Sequence, residues 1–160
     1  LLVEIKAADQ RIAAIVREDP VVQRLTSVPG VGPIAATAFV GTIDAIDRFA
    51  GAHQLESYLG LVPTENSSGE KQRKGHITKA GNSRLRYLLV EAAWSVLLSR
   101  RPNTEELRLW AQRIATRRGM KTAIVALARR LAGILYALWR DGTTFEPRRR
   151  EESTAESVRS

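Results

Sequence analysis

The segment from Ser67 to Arg86 (Ser-Ser-Gly-Glu-Lys-Gln-Arg-Lys-Gly-His-Ile-Thr-Lys-Ala-Gly-Asn-Ser-Arg-Leu-Arg) gathers the residue types best suited to act on a phosphodiester. Six cations, Lys71, Arg73, Lys74, Lys79, Arg84 and Arg86, lie in it between positions 71 and 86, with no carboxylate among them. A solvated surface usually mixes the two signs, so a one-signed run points to an anionic partner. Gly75 and Gly81 let the backbone come close to a ligand. Arg84 and Arg86 begin a helix, the end where the dipole disfavours cations, and a bound phosphate removes that conflict. A serine beside such a cluster is a candidate nucleophile. The cations would lower its pKa and neutralise the charge that develops as it attacks phosphorus. Ser67 and Ser68 both qualify. The residue types alone also fit a plain solvated charge run, and serines are common in glycine-rich loops.

A second feature is the turn Val28-Pro-Gly-Val-Gly-Pro33 between two short helices. It resembles the helix-hairpin-helix module of DNA-repair and recombination proteins. Gly30 and Gly32 allow positive φ and close backbone approach. Pro33 opens the next helix, where a missing N–H costs nothing. The free N–H groups of that helix and its dipole suit a phosphate, a contact that positions a strand without reading its sequence. A plain helical turn is the alternative. Weaker candidates surround these two. His53 and His76 stand singly, Asp44 and Asp47 flank a turn and read as helix caps, and no carboxylate set has metal-site spacing. Trp94, Trp110 and Trp139 fall on helical faces and read as core. Arg148 to Arg150 read as part of a solvated tail.

The elements that must position these residues are helical. Leu1, Ile5, Ala8, Ile12 and Ile15 recur at spacings of four and three, a short heptad seam, until Asp19-Pro20 breaks the helix. Such a helix either ends a coiled coil or packs on its own domain. A short helix then leads into the glycine turn. The small-residue helix from Pro33 ends near Gly41, Asp44 to Phe49 is a turn, and His53 to Leu59 is another short helix. Leu61 to Ala80, with few apolar residues, reads as a long basic loop, and loops of that length are often functional. Asn82 is placed to cap a helix carrying Leu85, Leu88, Leu89, Ala92, Ala93, Val96 and Leu97 on one face. After Pro102, Asn103 and Glu106 have the spacing of a capping box for a helix through Leu107, Trp110, Ala111 and Ile114 that stops at Gly119. A last helix over 121–140 turns Ile124, Leu127, Leu131, Leu135 and Leu138 inward. Residues 146–160 are polar and read as disordered.

The 160 residues include 44% hydrophobic ones, enough for one core, and carry a net charge of +8. That charge favours nucleic acid as partner. No uninterrupted apolar run approaches ~20 residues, so no membrane partner is expected. There is no cysteine, hence no disulfide or thiolate zinc site, which fits a reducing, cytoplasmic setting. A chain opening on Leu1 rather than Met is expected to be a piece of a longer protein. The expected fold is all-α. It has an end helix of a coiled coil over 1–19, a compact domain with a helix-hairpin-helix element and the long basic loop over 20–145, and a tail over 146–160.

Taken in order, four segments resemble one family: Val28-Pro-Gly-Val-Gly-Pro-Ile-Ala-Ala; Phe49 with Leu55 to Pro63; Ser68-Gly69 with Gly75-His-Ile-Thr-Lys-Ala-Gly-Asn-Ser-Arg-Leu-Arg86; and Ala-Leu-Ala-Arg-Arg-Leu within 121–131. The resemblance is to the C-terminal domain of transposases of the insertion sequence 110 family, grouped with insertion sequences 116 and 902. It covers roughly Leu25 to Pro147. It implies a DNA recombinase, guided in some members by a structured RNA. Full-length members join this domain, through a coiled coil, to a RuvC-like domain with acidic metal ligands. The resemblance implies DNA and a guide RNA as partners, a homo-oligomer in the full-length form, and Mg2+ held by the acidic domain, with no cofactor in this chain. It places the covalent serine at Ser68, with Ser67 adjacent to it. By chemistry rather than correspondence, the six cations and the backbone at Gly30 and Gly32 are the expected nucleic-acid contacts. The alternative function is a non-catalytic helix-hairpin-helix binding module. The acidic domain is missing from these 160 residues, so the chain alone is expected to be inactive.

Overall fold

The computed structural model describes residues 1–62 and 80–147. Every regular element among them is helical, as the 3.6-residue periodicity predicts. The helices are α1 (Leu2–Glu18), α2 (Pro20–Leu25), α3 (Pro33–Ile43), α4 (Ala52–Tyr58), α5 (Ala80–Leu98), α6 (Glu105–Arg118) and α7 (Met120–Asp141), with single 3-10 turns at Ile46–Arg48 and Pro102–Thr104.

α7 is the axis of the domain. It packs on α2, α4, α5 and α6, and the five positions predicted to face inward are all buried. Each such side chain contributes about 1.5–3 kcal/mol relative to exposure. By length and composition α7 could also cross a membrane, although no uninterrupted apolar run suggests it. More than half of that stretch is buried against the other helices, as in the core helix of a soluble domain. From α5 come Leu85, Leu89, Ala92, Ala93, Val96 and Leu97, all buried, with Leu88 half-buried beside them.

The break at Asp19-Pro20 is a corner between two helices. The Asp19 N–H donates to the Ile15 carbonyl at 2.8 Å and closes α1. Its carboxylate accepts from the N–H groups of Val21 (2.9 Å) and Val22 (3.3 Å) and caps α2. α1 buries none of its side chains: Leu2 is 75% exposed and Ile5 51%. Of the predicted seam only Ile12 is half-buried, so the domain does not use that seam as core.

Several local expectations differ from the structure. The fifth helix starts at Ala80, so Asn82 lies inside it rather than at its cap. The predicted capping box does not form. Thr104 takes the cap position, its hydroxyl donating to the Arg101 carbonyl at 2.8 Å. Glu106 therefore sits one residue too early, and Asn103 Oδ1 is buried with no hydrogen-bond partner among the described residues. Asp44 stands at the C-terminal end of α3 with φ 64°, and Asp47 falls inside a 3-10 turn. None of the three tryptophans is fully buried. Trp94 is 40% exposed, Trp110 half-buried, and Trp139 half-buried with its ring 6.2 Å from that of Phe39.

Candidate nucleic-acid interface

The glycine turn has two faces. On the inner face Gly30 adopts φ +78°, and a Cβ there would lie 2.6 Å from the Ala92 carbonyl oxygen and 3.0 Å from Val96 Cγ2. The turn backbone thus presses directly on α5. Ser27 fixes the same corner: its hydroxyl donates to the Arg24 carbonyl at 2.6 Å and accepts the Phe145 N–H at 2.9 Å. This ties the segment after α7 to the turn. On the outer face Gly32, Pro33 and Ile34 are exposed, and no side chain caps α3. Gly32 departs from the expectation of positive φ. It lies at φ −90°, and a Cβ added there would meet nothing within 4 Å. The glycine requirement therefore rests on Gly30, and it is a packing requirement.

Of the six predicted cations, Arg84 and Arg86 are described, and the structure sends them apart. Two residues on a helix lie about 200° apart. Arg84 is exposed and lines a groove of about 320 Å³ with Ile12 of α1 and Ile34, Thr37 and Thr42 of α3. Arg86 turns toward the end of α4, where its Nη1 would be 2.6 Å from a Cβ on Gly60. That end is closed by Gly60 at φ +70° and by the Leu61 N–H donating to the Glu56 carbonyl at 3.0 Å, a Schellman-like stop. The cation over it suits the negative end of the helix dipole. Gly30 meets α5 eight to twelve residues beyond Arg84, about 12–18 Å along the helix, while the groove at Arg84 includes Ile34, the second residue of α3. Ser67, Ser68, Lys71, Arg73, Lys74, Lys79 and His76 lie outside the described residues, as do Arg148 to Arg150.

A second cationic surface has no counterpart among the sequence expectations. α6 and α7 form a hairpin turning at Gly119 (φ +92°). Along one side of it runs a groove of about 630 Å³, bounded on its third side by Gly60, Leu61 and Val62. Its cations are Arg113, Arg117, Arg118, Lys121 and Arg129, and no carboxylate among the described residues lines it. Trp110 and Ile114, expected to face inward, line this groove and are only half-buried, while Leu107 and Ala111 of the same helix are fully buried. The apolar stripe on α6 is wider than the core needs. The signal in the sequence is the run of four cations from Arg113 to Lys121 without an acid, in phase with the apolar positions. At the open end of the hairpin Arg130 pairs with Glu106 at 3.3 Å and lies 4.7 Å over the Trp110 ring. Arg130 is thus engaged in holding the two helices together.

Glu56 is a half-buried carboxyl close to this region. Its Oε1 lies 3.1 Å from where a Gly133 Cβ would stand. Burial between α4 and α7 pushes its pKa up, while the charges of Arg129 and then His53 oppose that shift. Among the described residues no group of three or more His, Asp or Glu is placed to hold a metal ion.

Comparison with known proteins places these elements in a family. The family described as Transposase IS116/IS110/IS902 family matches residues 22–108. The chain is 37% identical over 139 residues to a probable family 20 transposase of Pseudomonas aeruginosa, covering 87% of this chain and 41% of that protein. It is 36% identical over 130 residues to the transposase for insertion sequence element IS1111A of Coxiella burnetii, covering 81% of this chain and 36% of that one. With the insertion element IS110 43.6 kDa protein of Streptomyces coelicolor the identity is 32% over 145 residues, 89% of this chain and 35% of the relative. The chain thus spans about two fifths of the length of these relatives. With more than half of its residues inside the family match, the chain belongs to the IS116/IS110/IS902 family of transposases.

Proposed function

We propose that this chain is the part of an insertion-sequence transposase that grips DNA by its phosphates and supplies the serine for strand cleavage and exchange. The observation that carries the reading is the extent of the family match. Residues 22–108 take in the glycine turn, both candidate serines and all six cations between Lys71 and Arg86. In this reading the hydroxyl oxygen of Ser68, or of Ser67 beside it, bonds to phosphorus as one P–O ester bond of a strand breaks, its proton ending on the departing deoxyribose oxygen, which leaves as a hydroxyl. The cations stabilise the charge that builds on the phosphate oxygens. Mg2+ belongs to the acidic domain of full-length relatives, a structured guide RNA is a further partner, and the assembled enzyme is a homo-oligomer working on DNA in the cytoplasm. The chain alone binds without cleaving.

The test is substitution in a full-length transposase that carries this domain. Ser68→Ala abolishes strand exchange and leaves DNA binding intact, with Ser67→Ala as the paired variant. Full recombination by both variants removes the nucleophile from the proposal. A second reading, a binding module without a nucleophile, is favoured by the exposed, uncapped start of α3 beside Gly32. It predicts salt-sensitive, sequence-tolerant binding that Lys79→Ala and Arg86→Ala weaken and neither serine affects.

A further inference from the structure

We infer that the α6–α7 groove is a binding site for a single DNA strand. The inference rests on the reading of the chain as DNA-binding. It adds the place and the form of the strand.

Three observations support it. The first is charge. Arg113, Arg117, Arg118 and Lys121 are exposed and make no ion pair among the described residues. Arg129 is half-buried, and its charge acts on the Glu56 carboxyl. Cations held this close repel one another, and an exposed α-helical surface normally relieves that with interspersed acids. α6 has its acids, Glu105 and Glu106, at its other end. Phosphates would supply the missing counter-charge, with release of their condensed counterions.

The second is the floor. Between the cations lie Ile114, Val125, Ala126 and Val62, and Val125 remains 40% exposed. A purely phosphate-binding face has no use for an apolar strip. An unpaired strand offers both parts, phosphates for the rim and base or sugar faces for the floor. A duplex keeps its bases stacked inside and meets such a strip poorly. Trp110 edges the same groove, but its ring already carries the Arg130 guanidinium, so the floor contacts are mainly aliphatic. The volume, about 630 Å³, is that of sites for ligands of nucleotide scale.

The third is placement. The cations sit on two long helices joined at Gly119 and tied by Arg130 and Glu106, so the site is preorganised and loses little ordering entropy on binding. Its third wall is Gly60 to Val62, the residues by which the chain leaves α4 for the basic segment.

The experiment is a titration of labelled oligo-dT with the 160-residue chain by fluorescence anisotropy, from about 50 to 300 mM salt, a range over which phosphate contacts change affinity strongly. Oligo-U and a duplex serve as parallel ligands. The Arg117→Gln/Arg118→Gln variant removes two exposed charges. Arg100→Gln/Arg101→Gln removes two exposed charges about 20 Å away, at the far end of α6, and controls for net charge. The groove variant is expected to bind oligo-dT at least about tenfold more weakly. Its slope of log affinity against log salt should fall by about 1.4, or 0.7 for each lost phosphate contact. The control should change binding less than twofold, and Val125→Glu should weaken the single strand more than the duplex. Equal losses in groove variant and control overturn the site. So does duplex affinity that falls as far as single-strand affinity, or oligo-U bound tenfold tighter than oligo-dT. Binding to phosphatidylserine vesicles that the groove variant abolishes, with oligo-dT binding unchanged, assigns the groove to a membrane and also overturns it. If the unmodified chain binds none of the nucleic acids, the function reading itself fails. If it binds and only the groove variant is silent, this inference alone fails.

Discussion

Two turns of this molecule use glycine under nearly the same geometry and for different ends. Gly30 and Gly60 both adopt positive φ, +78° and +70°, and a Cβ on either would meet another atom at 2.6 Å. At Gly30 that atom is the Ala92 carbonyl oxygen, part of the backbone of a buried helix. At Gly60 it is Nη1 of Arg86, the tip of a flexible side chain. The first turn is therefore fixed by the core. The second is fixed by its own backbone and merely covered by a cation, which makes it adjustable. The glycine turn that resembles a phosphate clamp is a packing device on its inner side. The stop at Gly60, a glycine directly after the predicted helix end at Leu59, joins the predicted cation Arg86 to the wall of the α6–α7 groove.

Gly30→Ala is the strongest way to test that contrast. The left-handed conformation costs about 1–2 kcal/mol for a residue with a Cβ. The overlap with Ala92 has no flexible partner to relieve it and adds about 1–3 kcal/mol. A loss of ~2–5 kcal/mol in urea unfolding is expected from these two costs, with an unchanged m-value. A loss below about 1 kcal/mol, less than the φ penalty alone, would mean the turn and α5 can separate. Gly60→Ala should cost about 1–2 kcal/mol, the φ penalty alone, because Arg86 can swing aside. The double variant Gly60→Ala/Arg86→Ala then costs no more than the sum of the singles. Strong synergy would show that Arg86 is held in place.

Much of this is legible in the sequence, for identifiable reasons. The inward faces of α5 and α7 follow from strong apolar periodicity over several turns, which tertiary packing has no cause to override. The corner at Asp19-Pro20 is visible as a break, since proline and its neighbour announce one locally. Caps are harder. Asn103 and Glu106 have the right spacing, but Pro102 starts a 3-10 turn that moves the helix start to Glu105, a one-residue shift that pattern matching does not resolve. The α6–α7 groove shows in the sequence only as a run of four cations from Arg113 to Lys121; its walls form only when the turn at Gly119 folds α7 back on α6 and brings Arg129 and Gly60 to Val62 alongside. Gly32 differs from expectation because a glycine at a helix start need not have positive φ. Arg84 and Arg86 pair in the sequence by closeness alone, whereas helical geometry puts them on opposite sides.

The next effect in size concerns α4, whose last turn carries Glu56 and the Gly60 stop. The Glu56 carboxyl is held above the ordinary value of 4.5 chiefly by burial. A raised carboxyl pKa means the folded state binds the proton more tightly than the unfolded state. Stability from this group is thus full below about pH 4.5 and declines as pH rises through the folded pKa. Glu56→Gln removes the charge and should raise Tm at about pH 7, with the gain shrinking toward zero near pH 4, where the carboxyl is protonated in both states. Lowered Tm at neutral pH would show that attraction to Arg129 outweighs burial and that the Gly60 end of the domain depends on that pair.

The smallest expected effect belongs to Gly32→Ala, two residues from the largest. Gly32 has φ −90° and ψ −176°, a conformation open to any residue, and a Cβ would point into empty space. Alanine is a poorer start to a helix than glycine, by roughly 0.5 kcal/mol. Against that, removing glycine from the unfolded chain stabilises by about 0.4–1 kcal/mol. The two terms nearly cancel, so urea unfolding should give a change within ~0.5 kcal/mol of zero. The variant also separates structure from binding at the exposed start of α3. A phosphate seated on those N–H groups would be crowded by the new methyl, so oligonucleotide affinity should fall while stability holds. Unchanged affinity leaves Gly32 without a role in binding, and the glycine turn becomes a core-packing element alone. A destabilisation as large as that of Gly30→Ala would mean that the outer face of the turn is as tightly constrained as the inner one, and the contrast drawn between packed and free glycines would not stand.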